Sequence, residues 1–353
     1  MTEKRKSKKA ILVLIMLIIL LAGIGLVEYG IICQNIEKNR QFSALKKQME
    51  EEIKDGVKMH GALKVEGVQL KDEAGNDVQL RGLSSHGILW YPDYANYASI
   101  METKKYGANM FRIAMYSDDR AGGYVQNPEL SKRLVYQAVE NVLSADMYAI
   151  VDWHILNDEN PNTNIEKAKE FFSEITATYK NNSGIIYEIC NEPNGDTTWE
   201  DIERYANEII PIIRNNAPDA IILVGTPDYS YSITKIEKKL DYSNIMYSFH
   251  FYAGQYDDSY ENMIVNVQNA GIPVFVSEWG INTQNDKEGA MQQGKKFAEY
   301  INSEKISFAA WSLCNKDECF SAIKPECIKY NGWSDSDFTE VGKVIFSALK
   351  GNN

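Results

Sequence analysis

From Leu63 onward the chain repeats one pattern: a short run of apolar, β-branched or aromatic residues, then a longer stretch with apolar positions three and four apart. The short runs read as buried strands and the longer stretches as amphipathic helices. Eight strand candidates result: Gln79–Leu83, Asn109–Met115, Tyr148–Trp153, Ile185–Ile189, Ala220–Val224, Asn244–Phe249, Pro273–Ser277 and Ser307–Trp311. Helical stretches such as Glu129–Asp146, Ile165–Lys180, Trp199–Asn216, Ser259–Ala270 and Lys287–Ser303 lie between them. Strict alternation of this kind predicts an α/β fold, a (β/α)₈ TIM barrel. A doubly wound open sheet is the rival, but it normally carries a Gly-rich phosphate turn after its first strand. None occurs here, and Gly122-Gly123 is a turn signal only. Ahead of the barrel, Leu63–Leu70 and Val78–Leu80 flank the turn-rich segment Glu73–Asp77 and predict a hairpin.

The N-terminal pattern is different. Lys4, Arg5, Lys6, Lys8 and Lys9 precede an uncharged apolar run from Ala10 to Val27. As a helix that run is about 27 Å long, enough to cross a hydrocarbon core. The basic cluster predicts that everything after Val27 lies outside. A cleaved signal peptide is the alternative; its apolar core is usually shorter and ends in a small-x-small site, whereas Glu28, Tyr29, Ile31 and Ile32 follow here. The expected organisation is a basic tip and transmembrane signal-anchor over 1–27, a stalk over 28–60, and a catalytic barrel over 61–353.

Composition narrows the function. After removal of the N-terminal segment about 290 residues remain, which suits one barrel of roughly 250 residues. A net charge of −12 argues against nucleic acid. The five cysteines, Cys33, Cys190, Cys314, Cys319 and Cys327, show no C-x-x-C spacing, so a zinc site is not expected. Three of them fall close together near the C-terminus. One disulfide among those three is an expectation for an extracellular domain, and packed free thiols are the alternative.

The residues with chemical capability gather at the C-terminal ends of the strand candidates, where barrel chemistry collects. His86 and Trp90 follow the first. Arg112 lies within the second, and Tyr116 just past it. His154 ends the third, and Asn191 and Glu192 follow the fourth. Tyr229 follows the fifth, and His250 and Tyr252 the sixth. Glu278 ends the seventh; Trp311 ends the eighth, with Lys316 and Glu318 beyond. Three of the four histidines are in this set, so a three-histidine metal site is a rival reading. Glu192 and Glu278 weigh more. Each terminates an apolar strand, where a charge is costly without a partner or a task. A closed barrel sets the fourth and seventh strands across one cleft, and two carboxyl groups about 5 Å apart are what retaining glycoside hydrolysis requires. The bland alternative is a buried ion pair with Arg112, which accounts for one glutamate only.

Seven segments then resemble glycoside hydrolase family 5, and within it bacterial endoglucanases of the Bacillus type. They are Arg81–Gly87, Phe111–Tyr116, Val151–His154, Ile186–Asn194, Phe249–Ala253, Val276–Gly280 and Trp311–Leu313. The resemblance covers about Leu63 to Lys350. It implies Glu192, in Asn-Glu-Pro, as general acid/base and Glu278, in Ser-Glu-Trp-Gly, as nucleophile. It implies that Arg112 keeps Glu278 ionised, that Asn191 holds the sugar 2-hydroxyl, and that Tyr252 orients Glu278. His86, Tyr116, His154 and His250 would line the site, with Trp90 and Trp311 as stacking platforms and Lys316 and Glu318 binding hydroxyls further out. Tyr229 stands where these enzymes often carry a tryptophan, and is expected to be the leaving-group platform.

The expected activity is hydrolysis of internal β-1,4-glucosidic bonds with retention. Mixed-linkage glucan, xyloglucan or mannan are alternative substrates, and an inactive carbohydrate-binding barrel is the different-class alternative. The expected partners are a β-glucan polysaccharide and, through the N-terminal helix, the cell membrane. No cofactor, metal or nucleic acid is expected, and the chain is expected to be a monomer.

Overall fold

Each of the eight apolar runs forms a strand. The computed structural model describes residues 55–351, together with Ile32, Ile36 and Arg40. The expected membrane helix and most of the expected stalk lie outside the described residues, as does Cys33. Among the described residues no helix is long and apolar enough to cross a membrane. The Asp55 carboxylate ties the start of this unit to the barrel, accepting hydrogen bonds from Asn109 Nδ2 at 3.0 Å and Arg81 Nη2 at 3.1 Å.

A hairpin of β1 (Lys64–Glu66) and β2 (Gln69–Lys71) comes first. Its turn is at Gly67-Val68, inside the run expected to be one strand, because Gly67 takes φ +64. The Glu73–Asp77 segment makes a second turn closed by a single Lys71–Asp77 bridge. The barrel strands are β3 (Arg81–Ser85), β4 (Met110–Tyr116), β5 (Tyr148–His154), β6 (Ile185–Glu188), β7 (Ile222–Val224), β8 (Ile245–Ala253), β9 (Val274–Ile281) and β10 (Phe308–Leu313). They close in the order β10-β3-β4-β5-β6-β7-β8-β9, every neighbour parallel. Such strands are covered on both faces, which is why they read as continuous apolar runs.

Helices Tyr97–Lys105, Pro128–Ser144, Ile165–Thr178, Trp199–Asn216, Tyr260–Asn269, Lys287–Ser303 and Glu340–Ala348 flank the strands. The longest starts at a capping box, in which Thr198 and Asp201 satisfy each other's backbone N–H. It buries Ile202, Tyr205, Ala206, Ile209, Ile210 and Ile213, a stripe at helical spacing. The alternation is not strict. Between β7 and β8 only a 3₁₀ turn at Ile233–Lys235 forms. Ile233, Ile236 and Leu240 still bury against the barrel there, and the Leu240 N–H donates to the Tyr247 hydroxyl at 2.8 Å.

Strand periodicity builds the floor of the site. Met110, Ile150, Ile186, Met246 and Phe275 form an apolar cluster inside the barrel. Two residues further along each strand, on the same face, stand Arg112, Asp152, Glu188, Ser248 and Ser277, all fully buried. A charged layer therefore rests on an apolar one, and every member of it must find a partner inside the barrel.

Candidate active site

Arg112, fixed in the middle of β4, is the hub of that layer. Its Nε is 2.7 Å from Glu188 Oε2, its Nη1 3.0 Å from Glu278 Oε2, and its Nη2 3.0 Å from Asp152 Oδ2. Nη2 also donates to Asn191 Oδ1 at 2.7 Å. Burial alone would lower the guanidinium's pKa, but three facing carboxylates raise it instead. Glu188 is pushed up by burial, yet Arg112 and His250 hold it well below the usual carboxylate range. The bland sequence alternative, in which Arg112 accounts for one glutamate, is thereby enlarged: Arg112 binds Asp152 and Glu188 as well as Glu278, and leaves Glu192 unpaired with it.

Glu278 owes its orientation to an irregularity in β9. The pairing with β8 runs Ser248 to Phe275 and then His250 to Glu278, so β9 carries one extra residue between them. Ser277 and Glu278 consequently both reach the site: Ser277 Oγ lies 3.0 Å from His250 Nε2, while Glu278 meets Arg112. The Tyr252 hydroxyl donates to Glu278 Oε1 at 2.5 Å. Burial pushes the Glu278 carboxyl up, but the charges of His250 and Arg112 outweigh it and hold Glu278 below its ordinary value. Glu278, His250 and Tyr252 lie within their strands rather than at or beyond the ends, because β8–β9 pairing continues to Ala253 and Ile281.

Glu192 sits past the end of β6, in the turn that also holds Asn191. Burial, then repulsion from Glu278, pushes it up to about 7. His250 is the bridge between the two environments. Its Nδ1 lies 2.9 Å from Glu192 Oε1 and its Nε2 3.9 Å from Glu188 Oε1, and these two carboxylates overcome burial to push it up to about 9. His154 behaves oppositely: burial, then the Arg112 charge, pushes it down to about 3. Its Nδ1 lies 2.6 Å from Asp152 Oδ2, which favours the tautomer that donates there. Its Nε2 can then accept from Asn191 Nδ2 at 3.3 Å. Asn191 is thus held from both ends of its amide.

Carboxylate oxygens of Glu192 and Glu278 lie within 4.8 Å of each other. The site therefore sets two carboxyl groups, Glu192 pushed up and Glu278 held down, on either side of a gap that one reacting carbon would fill. The three-histidine metal reading fails on geometry. Among the described residues His86, His154 and His250 do not converge; the group with metal-like spacing is Glu192, His250 and Glu278.

Every other residue expected at the site borders one groove made of two adjoining cavities. A cavity of about 260 Å³ is lined by Glu192 and Glu278 with Tyr116, His154, Tyr229, His250, Tyr252 and Trp311. A second, of about 530 Å³, is lined by His86, Trp90, Lys316 and Glu318, and shares Tyr116 and Trp311 with the first. Lys316 Nζ is 2.6 Å from Glu318 Oε2 and 3.3 Å from His86 Nε2. Burial, then the Lys316 charge, pushes His86 down to about 3. The expected disulfide is absent. Cys314 bonds Ser312 and Ser321, Cys319 approaches Asn282 Oδ1, and Cys327 approaches Asp337 Oδ1. The three thiols point to different neighbours, so closeness in sequence does not bring them together.

Asp152, Glu188 and Ser277 belong to the site without having been assigned to it, as do Gln255, Tyr256 and Phe320 in its wall. Asp152 and Glu188 carried the same signal as Glu192 and Glu278, a charge within an apolar strand.

Comparisons with known proteins identify the family. Residues 71–317 match the sequence model of the family described as Cellulase (glycosyl hydrolase family 5). An endoglucanase of Clostridium saccharobutylicum is 43% identical over 297 residues, which cover 83% of this chain and 66% of the relative. Endoglucanase A of Butyrivibrio fibrisolvens is 40% identical, over 80% of this chain and 67% of the relative. The chain thus spans about two thirds of the length of these curated relatives. Among solved structures, the catalytic domain of a Thermobifida fusca endoglucanase in complex with cellotetraose is 33% identical. It covers 84% of this chain and 99% of that chain, with a TM-score of 0.77.

Proposed function

The chain belongs to glycosyl hydrolase family 5, and from that membership we propose that it is a retaining endo-β-1,4-glucanase. The observation that carries the proposal is the Glu192–Glu278 pair, within 4.8 Å and with opposed protonation. An inverting pair needs roughly 6.5–9.5 Å to admit a water, whereas a retaining pair stands roughly 5–5.5 Å apart. In this reading Glu278, ionised beside Arg112, attacks the anomeric carbon. Glu192, protonated, donates to the departing oxygen and then activates water. Asn191, held by Arg112 and placed beside His154, is set to bind the sugar 2-hydroxyl. Trp90 and Trp311 offer aromatic faces on the glycone side, with Lys316 and Glu318 beyond. The groove continues on both sides of the glutamates, which suits an internal bond.

Glucan is favoured over mannan by the names of the relatives, both endoglucanases, and by cellotetraose in the Thermobifida structure. The test uses the purified domain on carboxymethylcellulose, mixed-linkage glucan, xyloglucan and mannan, with product lengths and anomers followed by NMR. Rapid loss of chain length on the β-1,4-glucan and first release of the β-anomer are expected. First release of the α-anomer would overturn retention, and preference for mannan would overturn the substrate.

The proposal extends to place. Ala10–Val27 and the basic residues before it support an uncleaved anchor with the barrel outside the cell membrane. N-terminal sequencing of protein from its native host decides this. A mature start near Tyr29–Asn39 in soluble material would mean cleavage and secretion.

A further inference from the structure

Resting on the glucanase reading above, we infer that Asp152 is a positioning residue. It fixes His154 as a hydrogen-bond acceptor, and through that it sets how Asn191 and His154 together take the 2-hydroxyl of the sugar under attack.

Arg112 carries only donors, so the Asn191 atom that meets its Nη2 at 2.7 Å is the amide oxygen. The amide nitrogen therefore faces the other way. It gives one hydrogen to the Ile155 carbonyl at 3.1 Å and turns the other toward His154 Nε2 at 3.3 Å. Nε2 has to carry a lone pair, since an N–H there would set donor against donor. A neutral imidazole with a bare Nε2 bears its proton on Nδ1, and Nδ1 lies 2.6 Å from Asp152 Oδ2. Oδ2 also faces Arg112 Nη2 at 3.0 Å. With a donor on either side, Oδ2 is kept an acceptor. Burial pushes the Asp152 carboxyl well up against the pull of Arg112, and any proton it takes belongs on Oδ1, which has no partner among the described residues. One orientation thus runs from Arg112 to Asn191, His154 and Asp152, and back to Arg112.

Tyr116 and Trp311 clasp the His154 ring, with centroids 4.2 and 5.3 Å away. Those aromatic faces fix the plane of the ring and not the place of its proton, which is left to Asp152. Burial, then the Arg112 charge, drives the ring toward its neutral form, so one nitrogen is bare. His154 lines the cavity of the two glutamates. A sugar hydroxyl entering beside it accepts from the Asn191 N–H and donates to the same Nε2, replacing one long hydrogen bond with two. Both contacts need the bare nitrogen. With the proton on Nε2 instead, the ring would repel the amide and compete with it for the hydroxyl oxygen. The 2-hydroxyl is the group whose contacts strengthen in the transition state, so an error in this proton's place is felt in the rate.

The test reads what the 2-hydroxyl contributes. Nitrophenyl cellobioside is compared with its analogue carrying hydrogen in place of that hydroxyl on the sugar under attack, and the ratio of the two kcat/KM values is taken for each protein. Asp152→Leu keeps the shape of the side chain and removes the acceptor. Its ratio is expected to fall about tenfold below that of the wild type, the scale of one hydrogen bond. Asp152→Asn is expected to keep the wild-type ratio, because its amide oxygen takes the place of Oδ2 and its nitrogen that of Oδ1. A loss of packing or of charge alone lowers both substrates together and leaves the ratio unmoved. An unchanged ratio in Asp152→Leu, or an equal fall in Asp152→Asn, would overturn the inference. If the leucine variant does not fold, nitrogen NMR of the wild-type protein with labelled histidine decides. His154, assigned by the signals lost in His154→Gln, is expected to bear its proton on Nδ1 at neutral pH, and a proton on Nε2 would overturn the inference equally. If the wild-type protein leaves the cellobioside uncut, the glucanase reading itself falls.

Discussion

Glu278→Ala is expected to lower turnover of every substrate by on the order of 10⁶-fold, about 8 kcal/mol of barrier, the scale seen when a covalent nucleophile is removed. The reason is geometric. Glu278 alone combines an ionised carboxylate with a place across the gap from Glu192, and Tyr252 and Arg112 each hold one of its oxygens. Neither partner can take over, since one is a protonated phenol and the other a cation. The fold should survive, because Arg112 keeps Glu188, Asp152 and Asn191. The shortened side chain also opens a small space beside two cationic groups, Arg112 and His250, which suits an anion. Azide added with an aryl cellobioside should restore part of the activity and yield the α-glycosyl azide, a product of inverted configuration. Full activity in Glu278→Ala, or a β-azide from it, would remove Glu278 from the nucleophile's role.

The same residue shows how far the sequence could be read. The barrel was legible because parallel strands buried on both faces appear as separate apolar runs, and eight of them occur. Glu278 and Glu192 were legible as charges against such runs. Where the strands end was not. Polar residues such as His250 and Tyr252 look like loop, yet in a parallel barrel the backbone pairing continues under side chains that point into the mouth. The extra residue in β9 was equally hidden, because strict alternation of Phe275 and Ser277 would send Glu278 to the opposite face. Asp152 and Glu188 escaped for a different reason: attention to strand ends passes over charges one layer deeper, where only the closed barrel shows that Arg112 needs more than one partner. The cysteines show the limit of spacing as evidence. Cys314, Cys319 and Cys327 are neighbours in sequence, but their directions depend on a long loop after β10 whose course no periodicity encodes.

Glu192→Ala should behave differently from Glu278→Ala, and pH is what separates the two. In the proposed mechanism, glycosylation needs Glu192 protonated and Glu278 ionised. Burial and then Glu278 push Glu192 up to about 7, so wild-type kcat/KM on cello-oligosaccharides should fall as pH rises through about 7. It should fall again on the acid side only below the ordinary carboxylate range, because Glu278 is held low. Removing Glu192 takes away the proton donor, and general acid help is typically worth about 10²–10⁴-fold. That loss should appear in full with a sugar leaving group, which departs poorly without a proton. A dinitrophenyl leaving group needs little help, so its kcat/KM should drop far less and the fall near pH 7 should vanish from its profile. Deglycosylation then becomes slow, since no base activates water, and the glycosyl-enzyme accumulates. Azide should intercept it and speed turnover, giving the β-glycosyl azide with configuration retained. His250 would lose one acceptor in this variant but keep Ser277 and its place near Glu188, so the cation beside Glu278 stays. Equal losses on both leaving groups, with the alkaline fall intact on the aryl substrate, would show that Glu192 is not the proton donor.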